Sequence, residues 1–250
     1  MQLEEFFADH PRAALALSGG VDSAYLLYAG HACGTDLRPY YIRTAFQPAF
    51  ELADAKRLCA ALGVPLTVLE RDILAVPQVA ENPADRCYHC KRALFTALSQ
   101  CAAQDGYDLL LDGTNASDDA GNRPGMRALR ELSVASPLRL CGLTKEEIRA
   151  RSKAAGLFTW NKPAYACLAT RIPTGEPLTA EKLARTEAAE SCLAALGFRD
   201  FRVRTFHDCA RIQLPAAQLP LLETHRAYIL GTLRQSYAAV FLDLEVRNEQ

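Results

Sequence analysis

The feature that most constrains the fold is a glycine-containing turn between a short apolar run and an apolar helix pattern. Residues 13–17 are apolar, residues 24–29 are largely apolar, and between them stand Ser18, Gly19, Gly20, Val21, Asp22 and Ser23. This order predicts a strand, a loop and a helix. Glycines let backbone N–H groups approach a ligand, and a helix N-terminus carries a partial positive charge. The pattern therefore predicts a phosphate-binding loop.

The polar side chains of this loop suit a nucleotide and its metal ion. Ser18 and Ser23 offer hydroxyl donors, and the Asp22 carboxylate can hold Mg²⁺ against the phosphates. Residues 18–23 lack the Gly-Lys-Ser/Thr ending of a Walker loop. The hexapeptide therefore predicts a phosphate loop of a different kind.

Strands and helices alternate through the first half of the chain. Besides the first strand and helix, the patterns predict strands at 37–42, 65–69 and 108–111, and a helix at 50–62 that ends at Gly63. Such alternation predicts a parallel α/β sheet covered by helices on both faces. Ligands of these sheets bind at the carboxyl ends of the strands. We therefore expect Thr44, Gly113 and Thr114 to bind the nucleotide together with the phosphate loop.

The pattern changes in the second half. Thr144 is predicted to cap a helix that ends before Gly156, and residues 160–177 are rich in Pro and Gly with little periodicity. Later helices and strands are predicted at 179–196, 201–206, 210–214, 216–236 and 239–246. We predict a nucleotide-binding domain over 1–160, a site loop or linker over 161–177, and a smaller α/β domain over 178–250.

Composition and charge narrow the class of partner. The chain has 250 residues, half of them apolar, and a formal net charge of -1. Proteins that bind long nucleic acids need a basic surplus, so a small anionic substrate fits better than tRNA. The sequence shows no signal-peptide pattern and no apolar stretch of roughly 20 residues. We therefore expect a cytoplasmic protein with no membrane partner.

The cysteines point to a metal centre or to chemistry. Their number, nine, is odd, which argues against a disulfide framework. Cys87 and Cys90 form a Cys-x-x-Cys pair, and Cys167 stands alone in the Pro- and Gly-rich segment. The pair can ligate a structural zinc, completed by His89 or another Cys, or join a third Cys on an iron–sulfur cluster with one open iron. The other six are predicted to be structural: Cys33, Cys59, Cys101, Cys141, Cys192 and Cys209.

The hexapeptide resembles the loop of the ATP-pyrophosphatase (PP-loop) superfamily, whose members cleave ATP between the α and β phosphates. Three longer strings accompany it: residues 82–91, residues 112–115 with Asp118, Asp119, 123–125 and 136–138, and residues 162–173. Together with the loop, these strings resemble the LarE family of ATP-dependent sulfur transferases of nickel-pincer nucleotide biosynthesis. The resemblance implies a PP-loop, adenine nucleotide alpha hydrolase-like domain followed by a smaller α/β domain.

The resemblance also implies a reaction. LarE-like enzymes adenylate a carboxylate of pyridinium-3,5-biscarboxylic acid mononucleotide and convert it to a thiocarboxylate, on the way to the nickel cofactor of lactate racemase. The cysteine that matches Cys167 handles the sulfur. In one branch it gives up its own sulfur, and in another it joins a Cys-x-x-Cys pair on a [4Fe-4S] cluster that carries a sulfide. Since Cys87, Cys90 and Cys167 are all present, the resemblance implies the cluster branch, with ATP and Mg²⁺, and a homo-oligomer.

The resemblance places the substrate at Lys91, Arg171, Glu190, Arg202 and Arg204. Arginine binds phosphates and carboxylates with two parallel hydrogen bonds, and Arg202 and Arg204 alternate on a predicted strand, so they share one face. Together with Cys167 and Asp22, Arg171 is predicted to be catalytic, because a nearby positive charge favours the Cys167 thiolate.

Two alternatives remain open. The first is another enzyme on the same scaffold, either a tRNA thiolase or an amide- or nitrile-forming synthase such as one that makes a deazaguanine. The second is not an enzyme but a protein that binds an adenine nucleotide and a structural zinc.

Overall fold

The computed structural model describes residues 1–118 and 124–247. The chain divides into two compact units, Met1–Ile73 with Asp85–Lys162 and Leu74–Ala84 with Pro163–Gln250. The sequence did not indicate that Leu74–Ala84 belongs with the later unit. The domain boundaries drawn from the sequence stay a prediction.

Within the described ranges the helices are α1 (Leu3–Asp9), α2 (Val21–Ala32), α3 (Ala49–Leu62), α4 (Pro77–Ala80), α5 (Arg86–Gln104), α6 (Pro124–Glu131), α7 (Pro137–Leu140), α8 (Lys145–Ala154), α9 (Ala180–Ala195) and α10 (Leu219–Leu233). The strands are β1 (Arg12–Ala16), β2 (Asp36–Arg43), β3 (Thr67–Glu70), β4 (Leu110–Leu111), β5 (Arg202–Phe206), β6 (Cys209–Gln213) and β7 (Ala239–Leu242). None of the described helices has the length and apolar character that a bilayer span requires.

The first unit is built on a four-stranded sheet in the order β3-β2-β1-β4. Every strand pair in it is parallel, with Ala16 opposite Tyr40 and Ile42 opposite Leu69. Successive residues of β1 belong to two different buried hydrophobic clusters. Leu15 is in a cluster with residues of α2 and α3, and Ala14 is in a cluster with residues of α5. Helices therefore cover both faces, and the predicted parallel α/β class is confirmed.

The ends of these elements follow local rules. Gly63 closes α3 with a positive φ of 67°, as the sequence predicts. Thr144 caps α8 with a full capping box, in which Glu147 is the reciprocal partner. Two strands are shorter than the sequence predicts. Strand β4 has two residues where 108–111 was predicted, and β7 ends at Leu242 where 239–246 was predicted.

The second unit has a three-stranded sheet in the order β5-β6-β7. Strands β5 and β6 form an antiparallel hairpin, and β7 runs parallel to β6 after the crossover helix α10. Val203 and Ile212 join a buried cluster with Leu193 of α9 and Ile229 of α10. Because side chains alternate along a strand, Arg202 and Arg204 lie on the opposite face of this sheet.

Candidate functional site

The phosphate loop is held closed by its own serines. The Ser18 and Ser23 hydroxyl oxygens lie 3.0 Å apart, and the Ser18 backbone N–H donates to Ser23 Oγ over 3.2 Å. Gly19 has a φ of +75°, and a Cβ there would lie 2.7 Å from the carbonyl oxygen of Glu51. Only glycine fits this position, so the loop shape depends on it.

The loop leads directly into a helix N-terminus. Gly20 is the N-cap of α2, Val21 is its first residue, and the first intrahelical bond runs from Ala24 N–H to the Gly20 carbonyl oxygen. The N–H groups before that bond have no intrahelical partner and carry the positive end of the helix dipole. The loop therefore fits the phosphate groups of a nucleotide.

The Asp22 carboxylate lies in the first turn of α2 and is contacted by two other segments. Lys145 Nζ is 2.5 Å from Asp22 Oδ2, and Asn115 Nδ2 donates to Asp22 Oδ1 over 3.4 Å. One carboxylate beside a phosphate-binding loop suits Mg²⁺, which prefers oxygen ligands and shares them with substrate phosphates. The donor chemistry at Asp22 fits the predicted metal.

A second lysine also contacts the loop. Lys162 Nζ donates to the Gly19 carbonyl oxygen over 2.9 Å and lies 2.5 Å from Asp54 Oδ2. The Arg149 guanidinium donates to the carbonyl oxygens of Trp160 and Lys162, at 3.0 Å each. Neither Lys145 nor Lys162 was singled out from the sequence. The available signals were the position of Lys145 directly after the Thr144 cap and the place of Lys162 at the start of a family-like string.

The segment after β4 packs against the loop. A Cβ at Gly113 would lie 2.8 Å from the backbone nitrogen of Ser23, so this glycine permits the close approach. Thr114 Oγ1 donates to Asp112 Oδ2 over 2.5 Å, and Ser136 Oγ donates to Asp112 Oδ1 over 2.6 Å. The nucleotide contacts of Gly113 and Thr114 stay predictions, and the Thr114 hydroxyl already holds its own loop.

Thr44 builds the turn after β2. Its Oγ1 donates to Gln47 Oε1 over 2.7 Å and accepts from the Phe46 N–H over 3.0 Å. Its predicted nucleotide contact stays a prediction. Asp119 and Arg123, which belong to the strings that resemble the family, lie outside the described residues.

The Cys-x-x-Cys pair lies in the first turn of α5. Residues three apart on a helix share a face, so Cys87 and Cys90 project to the same side. Cys87 is exposed, and the Arg86 guanidinium donates from Nη2 to its sulfur over 3.6 Å. His89 Nε2 lies 3.2 Å from Asp85 Oδ2, which fits an orienting role better than ligation. In the described part of the chain, no three His, Cys, Asp or Glu side chains are grouped as a metal site.

Lys91 follows the pair on the same helix. Its Nζ lies 5.9 Å from the centre of the Phe95 ring. A Cβ at Gly125 would lie 3.0 Å from Lys91 Cδ, so the lysine stem packs closely against α6 at this glycine. The predicted contact of Lys91 with substrate stays a prediction.

Cys167 belongs to the second unit and is half-buried. It precedes the 3-10 turn Leu168–Arg171, and its carbonyl oxygen accepts from the Thr170 N–H and hydroxyl at 3.0 and 2.8 Å. Of the three predicted ligands, only Cys87 and Cys90 therefore lie in one unit. The three-thiolate set stays a prediction.

Glu190 anchors the loop that carries Cys167. Arg171 Nε donates to Glu190 Oε1 over 2.7 Å, and an Arg171 Nη–H donates to Oε2 over 3.2 Å. The Tyr165 hydroxyl and the Val203 N–H donate to the same carboxylate at 2.5 and 2.9 Å. Arg171 is only 1% exposed. Both predicted site residues therefore hold the segment on either side of Cys167, and direct contacts of either with substrate stay predictions.

Arg202 and Arg204 are also held in place. Arg202 donates to the carbonyl oxygens of Phe201 and Ala164, while Arg204 donates to the Thr170 carbonyl oxygen over 2.8 Å. Burial, and then the neighbouring Arg171, lower the pKa of Arg202 to about 10. The same two causes, in that order, lower the pKa of Arg204. This second-unit face therefore carries an excess of positive charge, which an anion would offset.

The six cysteines predicted to be structural do not share one environment. Cys59 is buried, and its burial raises the pKa of the thiol to about 11, as expected for an inert core residue. Cys33 is exposed at the end of α2, so the apolar pattern around it was misleading. The remaining four are half-buried.

Comparison of the sequence with those of known proteins identifies the family of the chain. No protein-family model matches the chain. The chain is 38% identical to an uncharacterized protein of Synechocystis sp. over 97% of its own length and 92% of the relative. It is 33% identical to the pyridinium-3,5-bisthiocarboxylic acid mononucleotide synthase of Lactiplantibacillus plantarum, over 84% of its own length and 77% of that protein.

A more distant relative shares the superfamily. The chain is 25% identical to the tRNA-specific 2-thiouridylase MnmA of Thermotoga petrophila, over 60% of its own length and 54% of that protein. This likeness agrees with the PP-loop fold of the first unit. The similarity to the synthase confirms the resemblance seen in the sequence: the chain belongs to the LarE family of pyridinium-3,5-bisthiocarboxylic acid mononucleotide synthases, within the PP-loop superfamily.

Proposed function

We propose that this chain is an ATP-dependent sulfur transferase. It adenylates a carboxylate of pyridinium-3,5-biscarboxylic acid mononucleotide and converts it to a thiocarboxylate. One observation carries the proposal: 33% identity to the L. plantarum synthase across 77% of that protein. The phosphate loop at the start of α2, with the Asp22 carboxylate beside it, supports the use of ATP.

The first half-reaction takes place on the phosphate loop. N–H groups at the start of α2 and the hydroxyls of Ser18 and Ser23 bind the phosphates, and Asp22 would hold Mg²⁺, which would offset the phosphate charge. A substrate carboxylate oxygen attacks the α-phosphorus, and pyrophosphate leaves with the electron pair of the broken P–O bond. The product is an acyl adenylate. This activation is needed because AMP leaves readily from the acyl carbon, whereas an oxide ion does not.

The second half-reaction is assigned to the cysteines. A sulfur nucleophile attacks the acyl carbon, and AMP leaves with the electrons of the C–O bond. We propose that Cys87, Cys90 and Cys167 ligate a [4Fe-4S] cluster, which when bound would leave one iron open for a sulfide. The residues Tyr165, Arg171 and Glu190 fix the loop around Cys167, whichever sulfur is transferred.

If Cys167 is itself the donor, its thiolate forms a thioester as AMP leaves. Removal of the Cα proton and cleavage of the Cβ–S bond then release the thiocarboxylate and leave dehydroalanine at position 167. This route predicts one turnover per chain. It also predicts a chain lighter by the mass of hydrogen sulfide, which intact-mass spectrometry detects.

The substrate side is assigned to the second unit. We propose that Arg202 and Arg204 bind the substrate phosphate, because they lie near other arginines, Arg171 and Arg247, with fewer carboxylates beside them to offset the positive charge. Lys91 is the proposed contact from the first unit.

The test supplies the protein with ATP, Mg²⁺ and either the pyridinium substrate or tRNA. With the pyridinium substrate, and not with tRNA, we expect pyrophosphate and AMP in equal amounts together with the thiocarboxylate. Cys167→Ala should still release pyrophosphate on mixing with substrate but should form no thiocarboxylate. Thiolated tRNA, or bound nucleotide with no pyrophosphate from either substrate, would overturn the proposal.

The metal content is tested on anaerobically purified protein. We expect iron and sulfide in the wild type and the loss of most of both in Cys167→Ala. Zinc without sulfide would favour a structural site on the Cys-x-x-Cys pair and would leave Cys167 as a sacrificial donor. Light scattering of the same preparation tests the proposed homo-oligomer.

A further inference from the structure

Lys145 pairs with the carboxylate that is proposed to hold Mg²⁺. Its ammonium group lies 2.5 Å from Asp22 Oδ2, and the two side chains are 31% and 21% exposed. Asn115 donates to the other oxygen of the same carboxylate. The group proposed to hold Mg²⁺ is therefore already neutralised by a lysine from α8.

The backbone of Lys145 is fixed, although its side chain is long. Thr144 and Glu147 form the capping box at this end of α8, with 2.8 Å from the Thr144 N–H to Glu147 Oε2. The Lys145 N–H donates to Ser117 Oγ over 3.0 Å. These bonds hold the Cα of Lys145 beside the phosphate loop, while four flexible methylene groups let the ammonium change partner.

The charges around the loop balance before a nucleotide binds. Lys145 pairs with Asp22, and Lys162 pairs with Asp54. If the Asp22 carboxylate binds Mg²⁺, the metal would compete with the Lys145 ammonium for the same negative charge, and the ammonium would lose this partner. Glu147, a neighbouring carboxylate on α8, is already engaged by its own N-cap. Phosphate groups bound on the loop beside Asp22 would then offer the ammonium a new anionic partner.

We propose that Lys145 is a charge-exchange residue for the nucleotide. It neutralises Asp22 while the loop is without ligand, and it moves to the phosphates when Asp22 binds Mg²⁺. There it offsets the negative charge that develops on the departing pyrophosphate. This inference rests on the proposed use of ATP and Mg²⁺. Lys162 is different, because its partners are the Gly19 carbonyl oxygen and Asp54, neither of which is a proposed metal ligand.

The exchange predicts two binding effects of opposite sign for Lys145→Met. Without nucleotide, the freed Asp22 carboxylate should bind Mn²⁺, a spectroscopic probe for the magnesium site, about fivefold more tightly, as expected for a partly exposed ion pair. With Mg²⁺ in excess, ATP should bind about ten- to a hundredfold more weakly, because a charged hydrogen bond to phosphate is lost. Electron paramagnetic resonance measures the first affinity, and titration calorimetry measures the second.

Two further variants complete the design. Lys145→Arg keeps the positive charge and should restore most of the ATP affinity. Lys153→Met removes another lysine of the same helix, whose Nζ lies 4.7 Å from the centre of the Trp160 ring, and should change neither affinity. Circular dichroism and thermal unfolding check that each variant is folded.

The outcomes separate this inference from the proposed function. Opposite changes in Mn²⁺ and ATP affinity support the exchange. If Lys145→Met lowers both affinities, or changes neither, the exchange is wrong even though the wild type binds ATP. If the folded wild type binds no ATP with Mg²⁺, the proposed function fails first, and the exchange fails with it.

Discussion

Two regions of the molecule suit anions, and they achieve this by different means. In the first unit, the phosphate loop offers backbone N–H groups, and each lysine beside it pairs with a carboxylate at 2.5 Å. In the second unit, the sheet face opposite α9 and α10 and the residues around it carry more arginines than carboxylates. The arginines are Arg171, Arg202, Arg204, Arg211 and Arg247, and the carboxylates are Glu190, Asp200 and Asp243.

The difference suggests how each region is used. Paired charges at the loop cancel at rest and can change partner, which suits a ligand that arrives and is cleaved in each turnover. The arginine region instead keeps uncompensated charge. Burial lowers the pKa of Arg202 to about 10, below its value in the unfolded chain. The charged form of this residue therefore opposes folding at neutral pH, and its cost fades only as the pH rises above about 10. An anion bound there removes the cost.

The largest expected effect tests the loop side of the comparison. Asp22→Asn keeps the shape of the side chain but removes the negative charge proposed to hold Mg²⁺. We expect pyrophosphate release to fall about a hundred- to a thousandfold. Asp54→Asn is the matched control, because this carboxylate also lies 2.5 Å from a lysine. Equal losses in the two variants would show that lysine pairing, and not metal binding, is what the loop requires.

The next effect tests whether the second-unit charges are structural. Arg171→Met leaves the buried Glu190 carboxylate without its cation, and breaking such a pair costs about 3 kcal/mol of unfolding free energy. Hydrogen exchange of the Val203 amide, which donates to Glu190, reports the local loss.

The double variant Arg171→Met, Glu190→Gln removes both charges, keeps an acceptor oxygen for the Val203 N–H, and gives an amide N–H that can donate to the Tyr165 hydroxyl oxygen. It should recover most of the stability lost by Arg171→Met. If the single variant is as stable as the wild type, the buried pair is not what holds the Cys167 loop.

Much of the loop side was predictable because its signals are local. The glycines of the hexapeptide, the C-cap Gly63 and the N-cap Thr144 each act within a few residues of chain. Their meaning could be inferred without tertiary structure. By contrast, the contact of Lys145 with Asp22 joins residues that are 123 positions apart. No periodic pattern in the sequence predicts a contact between residues so far apart.

The second unit was harder to predict for related reasons. The Arg171–Glu190 pair links a 3-10 turn to α9 across 19 positions. Both residues are charged, so no apolar pattern indicated their burial, and the family resemblance implied contact with the substrate. Helix α5 was missed altogether, because polar and charged residues interrupt its apolar positions. Within the second unit, Asn82 joins Leu74–Ala84 to the later segment by donating to the carbonyl oxygens of Pro173 and Glu176. Sequence spacing does not reveal these contacts.

A smaller effect is expected at the proposed phosphate contact. Arg204→Met should raise the KM for the pyridinium substrate about thirtyfold, the value of roughly 2 kcal/mol for a charged hydrogen bond, with little change in the KM for ATP. Arg211→Met is the control, because Arg211 lies opposite Arg204 on β6 but pairs with Asp243. A rise in the KM for ATP in place of the substrate KM would assign Arg204 to the nucleotide instead.

The smallest effect compares two helix caps, one in each unit. Thr144 caps α8 with a reciprocal bond to Glu147, whereas the Thr179 side chain accepts one bond, from the Lys182 N–H over 3.2 Å, with no capping box. Thr144→Ala should cost about 1 kcal/mol of unfolding free energy, and Thr179→Ala should cost less. Denaturant unfolding gives both values.

Thr144→Ala should also weaken ATP binding a few-fold at saturating Mg²⁺, because Lys145 follows the cap and the capping box fixes its backbone. A loss of stability without any change in ATP affinity would mean that the start of α8 does not need to be fixed for Lys145 to reach the phosphates.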